Sequence, residues 1–178
     1  IPLNEVDDYI HGDENYRILL DKDNLVLNHT HINNPFYIRK PSEAEFDDCC
    51  NEFWWISTYI VKGICRNEFL YAAEFMNQIL RKELLRMIAW KVGVETNFSV
   101  SVGKNYRYLE AYVSDKLWVE LIATYSQSSY DDLKAALFKC LEIFREVSSE
   151  VAVKLNYKYP EYDEQNTKYI ARLFEDQL

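Results

Sequence analysis

Glycine is scarce in these 178 residues, with four in all. None of them falls in a G-x-G-x-x-G or G-x-x-x-x-G-K-[ST] pattern, so a loop that cradles phosphate through backbone amides is missing. The four cysteines do no better as a motif: Cys49 and Cys50 are adjacent, Cys65 and Cys140 stand alone, and neither zinc nor redox spacing results. They read as buried thiols of a reducing compartment. All three histidines (His11, His29, His31) lie in the first fifth of the chain, which excludes a helical nuclease built on an R-x(4 to 6)-H element. No apolar run approaches the roughly 18 residues of a membrane span, and no basic start followed by an apolar stretch reads as a signal peptide. The expected compartment is the cytosol.

What is present is a core. Hydrophobic residues make up 48% and aromatics 15% of the chain, enough for one globular domain of ordinary size, or one domain plus a piece of another. The net charge of −9 and a pI near 4.9 would repel nucleic acid over most of the surface and attract a small polycation. The same acidity also suits plain solubility.

Residues 1 to 40 differ in character from the rest. Pro2 opens a short predicted helix with Leu3, Val6 and Ile10 on one face and Gly12 past its end. YRILLDKDNLVL reads as two short strands around Asp21 to Asn24, and NHTHINNPFYIRKP as a long connection. One helix and one hairpin make no core, so this stretch reads as the end of an α/β unit.

From Pro41 onward the pattern is helical. Ser42 with Glu45 fits a capping box, and Gly63 is the expected stop. Asn67 is placed as the cap of a second helix running to about Lys91, with Ala73, Leu80, Leu84 and Met87 along its stripe and Gly93 beyond it. Shorter helices are predicted near 104 to 113 and, capped by Ser114, 115 to 125. A long one begins near Ser129 and carries Leu133, Leu137, Leu141, Phe144, Val151 and Leu155; after Pro160 a last one covers about 164 to 175. The fold class is mainly α, a bundle of five or six helices preceded by the small α/β remnant.

The first long helix contains CNEFWWISTYIVKG. At 100° per residue, Phe46, Cys50, Phe53, Ser57, Ile60 and Val61 form a core face, and Trp54 lies near it. Asp48, Glu52, Trp55, Tyr59 and Lys62 fall within roughly 80° of one another on the opposite side. An exposed face has no hydrophobic reason to hold Trp and Tyr unless another domain or a ligand covers it. Carboxylates beside aromatic faces suit a polyhydroxylated cation, because acids pair with ammonium or guanidinium groups and rings pack on sugar faces. Packing on a neighbouring helix is the alternative. Glu83, on the apolar side of the second helix between the directions of Met76 and Trp90, is an acid that needs a partner.

Several long strings resemble one family: DDCCNEFWWISTYIVKGICRNE (47 to 68), RKELLRMIAWKVGVETNFSVSVGKNYRYLEAYV (81 to 113), SYDDLKAALF, IFREVSSEVA and YKYPEYD. They are similar to the C-terminal region of the aminoglycoside 6-adenylyltransferases, or streptomycin adenylyltransferases, over nearly the whole chain. The resemblance implies transfer of AMP from ATP to a streptomycin hydroxyl, with Mg2+ held by aspartates that follow a Gly-Ser motif in an N-terminal nucleotidyltransferase domain. This sequence has no Gly-Ser pair, and its one D-x-D, Asp21 and Asp23, is read as a turn. No catalytic or metal-binding residue is therefore expected in it. Residues 1 to 40 would be the tail of the catalytic domain with its connection, and 41 to 178 the helical substrate-binding domain, inactive alone.

In that picture drug and ATP lie between two domains. Asp48, Glu52, Trp55, Tyr59 and Glu83 are the expected drug contacts; Lys104, at an expected helix start after Gly103, is the phosphate contact, with Tyr125 assisting and Lys62 as a second cation. Each lysine also reads as an ordinary solvated one. The competing function is a helical interaction module whose Trp55 and Tyr59 meet another protein; neither nucleic acid nor a membrane is an expected partner.

Overall fold

In a computed structural model of the chain, the described residues are 36–175. The short N-terminal helix, the hairpin and the Asp21–Asp23 turn lie outside them. The chain divides into two compact units, Ile1–Tyr37 and Ile38–Leu178, and nearly all described residues belong to the second.

The second unit is mainly α. Its helices are α1 (Glu43–Cys65), α2 (Phe69–Phe75), α3 (Arg81–Glu95), α4 (Asp115–Ala123), α5 (Tyr130–Leu155) and α6 (Tyr162–Glu175), with a π-helical segment, Met76–Leu80, joining α2 to α3. Serine caps start three of them. Ser42 accepts from Glu45 N at 3.2 Å while Glu45 Oε2 accepts the Ser42 N–H at 2.8 Å, completing the capping box. Ser114 and Ser129 accept in the same way from Leu117 and Asp132, each satisfying an N–H that the first turn leaves without a carbonyl.

The π segment changes the periodicity of the second rod. Ala72, Met76, Leu80, Leu84 and Ile88 are all buried, a spacing of four that an α-helix at 3.6 residues per turn would rotate off the core, but that a wider π turn holds in line. This is why Ala72 is fully buried, while the expected Ala73 is only partly buried against the core.

α1 runs through the middle of the bundle, touching α2, α3, α5 and α6, while α3 packs along α5. The predicted core face, Phe46, Cys50, Phe53, Ser57, Ile60 and Val61, is buried, and so is Trp54. Phe53 stacks on Phe144 at 3.7 Å with the rings nearly parallel, and Trp54 meets Phe144 edge-on at 6.2 Å. Cys49, Cys50 and Cys140 are buried free thiols; burial pushes the first two far above the ordinary thiol range.

Two glycines read as helix stops are packing positions inside helices. Gly63 does not end α1, which continues to Cys65; a Cβ there would lie 2.9 Å from the Tyr71 ring and 3.2 Å from the Ala72 backbone. Its absence lets α2 cross against α1. Asn67 does not cap α2: it sits at φ 58 and belongs to the closing turn of α1, its N–H donating to the Ile64 carbonyl while Glu68 donates to that of Gly63. Gly93 likewise lies within α3, which runs on to Glu95.

A Cβ on Gly93 would stand 2.6 Å from the Phe98 ring and 2.9 Å from Ile38. Phe98 cannot easily withdraw, because its N–H closes the helix on the Gly93 carbonyl at 2.7 Å with φ 56. Gly93→Ala gains about 1 kcal/mol of helix propensity and meets an overpacking cost of about 1–3 kcal/mol. A net loss of about 1 kcal/mol is expected, seen as a lowered Tm in thermal unfolding.

The helix expected over 104 to 113 is absent. The segment holds two short 3-10 turns, Lys104–Tyr106 and Leu109–Ala111, because Gly103, Asn105 and Tyr106 all take positive φ, which a right-handed helix cannot contain. The last helix begins two residues earlier than expected, at Tyr162.

Candidate functional site

On α1 the exposed face narrows from Glu52 onward. Asp48 and Trp55 are exposed, Glu52, Tyr59 and Lys62 half-buried, and the neighbouring positions Phe53, Trp54, Ile56, Ser57, Thr58, Ile60 and Val61 are buried. The five residues placed together by helical spacing therefore lie on the open side of this central helix, which they share with the exposed Glu43, Ala44, Asp47 and Asn51. Trp55 is 56% exposed, a large apolar surface to leave in water.

The rings continue beyond the residues found by periodicity. Trp55 and Tyr59 centroids are 5.9 Å apart, Tyr59 and Phe75 5.6 Å, and Phe75 and Tyr71 4.7 Å. Four rings thus form an unbroken row from α1 onto α2, at spacings typical of attractive aromatic pairs. Lys62 flanks the row at Tyr59: its Nζ lies 5.3 Å from the Tyr59 ring and 5.6 Å from that of Tyr169 on α6. Among the described residues Lys62 makes no ion pair with a carboxylate, so its charge is held by two ring faces. Tyr71, Phe75 and Tyr169 carried no sequence signal, since only the crossing of α2 and α6 over α1 brings them in.

Glu83 is buried at 5% exposure and has the partner its position demanded. Arg86, one turn along α3, places Nη1 2.8 Å from Glu83 Oε2; the pair is in ionic contact but out of line for a hydrogen bond, since the same oxygen has no hydrogen-bond partner. Cys49 of α1 donates its thiol to the Glu83 carbonyl at 3.5 Å. Tyr106 reaches the same neighbourhood: burial raises its hydroxyl pKa, and Arg86 and Glu83 act on it in opposite senses. Glu45 pairs with Arg39 and is held below the ordinary carboxylate range by its bonds to Ser42, with Arg39 and Arg86 adding to them.

Lys104 is exposed and lies in a single 3-10 turn, so the helix dipole expected to assist it is not there. Tyr125, just past α4, is 51% exposed and covers the guanidinium of Arg81, whose central carbon lies 3.7 Å from the ring centroid. Arg81 is itself 4% exposed, a buried charge that the sequence did not reveal.

Hollows among the described residues lie elsewhere. One of about 670 Å³ sits at the N-terminal ends of α1 and α6, lined by Glu43, Asp47, Lys158, Glu161 and Tyr162 among others; a smaller one of about 110 Å³ lies among Lys91, Lys116, Glu120, Glu146 and Glu150. Neither includes a residue of the acid-and-ring strip. Among the described residues no group of three or more His, Cys, Asp or Glu is arranged to hold a metal ion. No helix of the described residues is long and apolar enough to cross a membrane.

Comparison with known proteins shows the family. The sequence profile of streptomycin adenylyltransferase matches residues 1–173. The chain belongs to that family. The aminoglycoside 6-adenylyltransferase of Campylobacter jejuni is 46% identical over 175 residues, covering 97% of this chain and 60% of that protein; the one of Bacillus subtilis is 44% identical over 176 residues, covering 98% and 62%. A crystal structure of an aminoglycoside 6-adenyltransferase from Bacillus subtilis superposes with a TM-score of 0.74 at 45% identity, covering 98% of this chain and 64% of that one. The chain thus spans about three fifths of the length of its curated relatives and corresponds to their C-terminal region.

Proposed function

We propose that this chain is the aminoglycoside-binding part of an adenylyltransferase that moves AMP from ATP to a hydroxyl of a streptomycin-like drug. Residues 41 to 178 act as the substrate-binding domain and 1 to 40 as the tail of a catalytic domain with its connection. The carboxylates of that catalytic domain would hold Mg2+, which would supply charge stabilisation at the phosphoryl oxygens, so the chain alone does not catalyse the transfer. The enzyme works in the cytoplasm, where drug and ATP meet.

The observation that carries this reading is the open side of α1, where two acids and two rings stand in line on the central helix, within a chain whose relatives are named for aminoglycosides. Asp48 and Glu52 supply charge for the guanidinium groups of the drug, and Trp55 and Tyr59 supply flat faces for its sugars. Glu83, already paired, enters through Arg86. Lys104 and Lys62 are the cations offered to the nucleotide phosphates, with Tyr125 on the nucleotide side.

The test joins the chain to the N-terminal part of the Bacillus subtilis relative and follows AMP incorporation from labelled ATP into streptomycin. Transfer by the joined protein and none by the chain alone is expected. A joined, folded protein that adenylylates no aminoglycoside would overturn the reading.

A further inference from the structure

Arg81 sits in an unusual place for a cation. It is 4% exposed and has no carboxylate partner among the described residues, in a protein with a surplus of nine negative charges. It is held by neutral groups instead. Its guanidinium donates to Thr124 Oγ1, to the Thr124 carbonyl at 2.9 Å and to Asn77 Oδ1 at 3.2 Å. The carbonyl belongs to the C-terminal cap of α4, where a helix presents its negative end. The π segment brings Asn77 and Arg81 onto this contact from the other rod. These bonds account for the tether between α3 and α4.

They do not account for the ring. Tyr125 lies face-on to the guanidinium at 3.7 Å, yet remains 51% exposed; one face is spent on Arg81 and much of the other residue surface meets solvent. Beside it stands an amide pair drawn from the same network: Asn77 donates to Gln127 Oε1 at 2.9 Å, and Gln127 Nε2 donates to the Thr124 carbonyl at 3.0 Å. The arrangement is a rigid flat ring, immobilised from behind, with hydrogen-bonding groups at its margin. A cation already occupies the inner face and draws on the ring's negative quadrupole, so the outer face is a poor place for an ammonium or guanidinium group. It favours a neutral, electron-rich π system, which a nucleobase provides.

Resting on the adenylyl-transfer reading, we infer that Tyr125, backed by Arg81, is a stacking platform for the purine base of the nucleotide. The contact is the ring face, so the hydroxyl is dispensable. In the 178-residue protein, adenosine should shift the Tyr125 ring signals upfield in NMR titration, and ribose 5-phosphate, which lacks the base, should not. Tyr125→Phe keeps the adenosine affinity; Tyr125→Leu weakens it about tenfold, in line with the loss of one stacked base, and lowers Tm by the loss of one cation–π contact with Arg81, with circular dichroism showing the variant folded at the titration temperature. Adenosine that leaves the Tyr125 ring unmoved, or a folded Tyr125→Leu protein that binds as before, would overturn the platform.

The two proposals separate in the joined enzyme. AMP transfer with a KM for ATP indifferent to Tyr125→Leu keeps the family reading and removes the platform. Absence of transfer, with the Tyr125 shifts intact in the chain, removes the reading and keeps the platform.

Discussion

Asp163→Ala is expected to destabilise the protein by about 3 kcal/mol, measured as a lowered urea midpoint at constant slope. Asp163 stands in the first turn of α6 and its side chain is 8% exposed, whereas Arg145 of α5 keeps 40% of its side chain in contact with solvent. Between them run two parallel bonds, Arg145 Nε to Oδ2 at 2.8 Å and Nη2 to Oδ1 at 2.7 Å, and the carboxylate also accepts from Tyr159 at 2.8 Å and Thr167 at 3.1 Å. Removing one partner of a buried pair costs about 3–5 kcal/mol, because the other charge is left unmatched; the exposure of Arg145 puts this case at the low end. The carboxylate adds to the packing of α6, which fully buries only Ile170 besides Asp163 itself and sets Tyr162, Leu173 and Phe174 partly buried against the core.

The same pair sets a pH dependence. Burial pushes the Asp163 carboxyl up, but the bonds from Arg145, Tyr159 and Thr167 together outweigh it and hold the pKa below its ordinary 3.8. A folded-state pKa below the unfolded one means that the stabilisation is present above the unfolded value and is lost as pH falls through the folded one. Wild-type stability should therefore decline as pH is lowered below about 4, and Asp163→Asn should remove that part of the decline. A variant with the same acid profile as the wild type would show that Asp163 does not carry it.

How much was legible in the sequence depends on how far each signal travels along the chain. Ser42 with Glu45, Ser114 and Ser129 were legible as caps because the bond each makes closes within three residues. The open strip Asp48, Glu52, Trp55, Tyr59 and Lys62 was legible because 3.6-residue geometry alone aligns it. Gly63 and Gly93 were misread because their use is set by Tyr71, Ala72 and Phe98 pressing on them, and a glycine needed for close approach looks in sequence like one that ends a helix. The 104 to 113 helix failed on backbone geometry: Asn105 and Tyr106 at φ 54 and 60 leave no mark in a hydrophobic pattern. Arg81, Arg145 and the extension of the ring row to Tyr71, Phe75 and Tyr169 depend on contacts between helices, which no local period encodes.

That last gap matters for the strongest functional expectation, the loss of drug binding when the wall is stripped. Glu52→Gln removes a charged acceptor, and a hydrogen bond to a charged group contributes about 1.5–3 kcal/mol. Trp55→Ala removes the exposed end of the ring row, worth about 0.5–1 kcal/mol at a solvent-facing site where a cation meets a ring. In the joined enzyme the two changes together should weaken streptomycin binding by about 100-fold, roughly 2.7 kcal/mol, read by calorimetric titration. Because Trp55 is 56% exposed and Glu52 lies on the same open strip, stability should stay within about 0.5 kcal/mol of wild type. The rows of rings and acids also predict an order: Glu52→Gln alone should cost more for a guanidinium-bearing drug than for a sugar lacking the cation, while Trp55→Ala should weaken both. A doubly substituted, fully folded enzyme that binds streptomycin with unchanged affinity would place the drug on another face of the bundle and leave the exposed tryptophan to a protein partner.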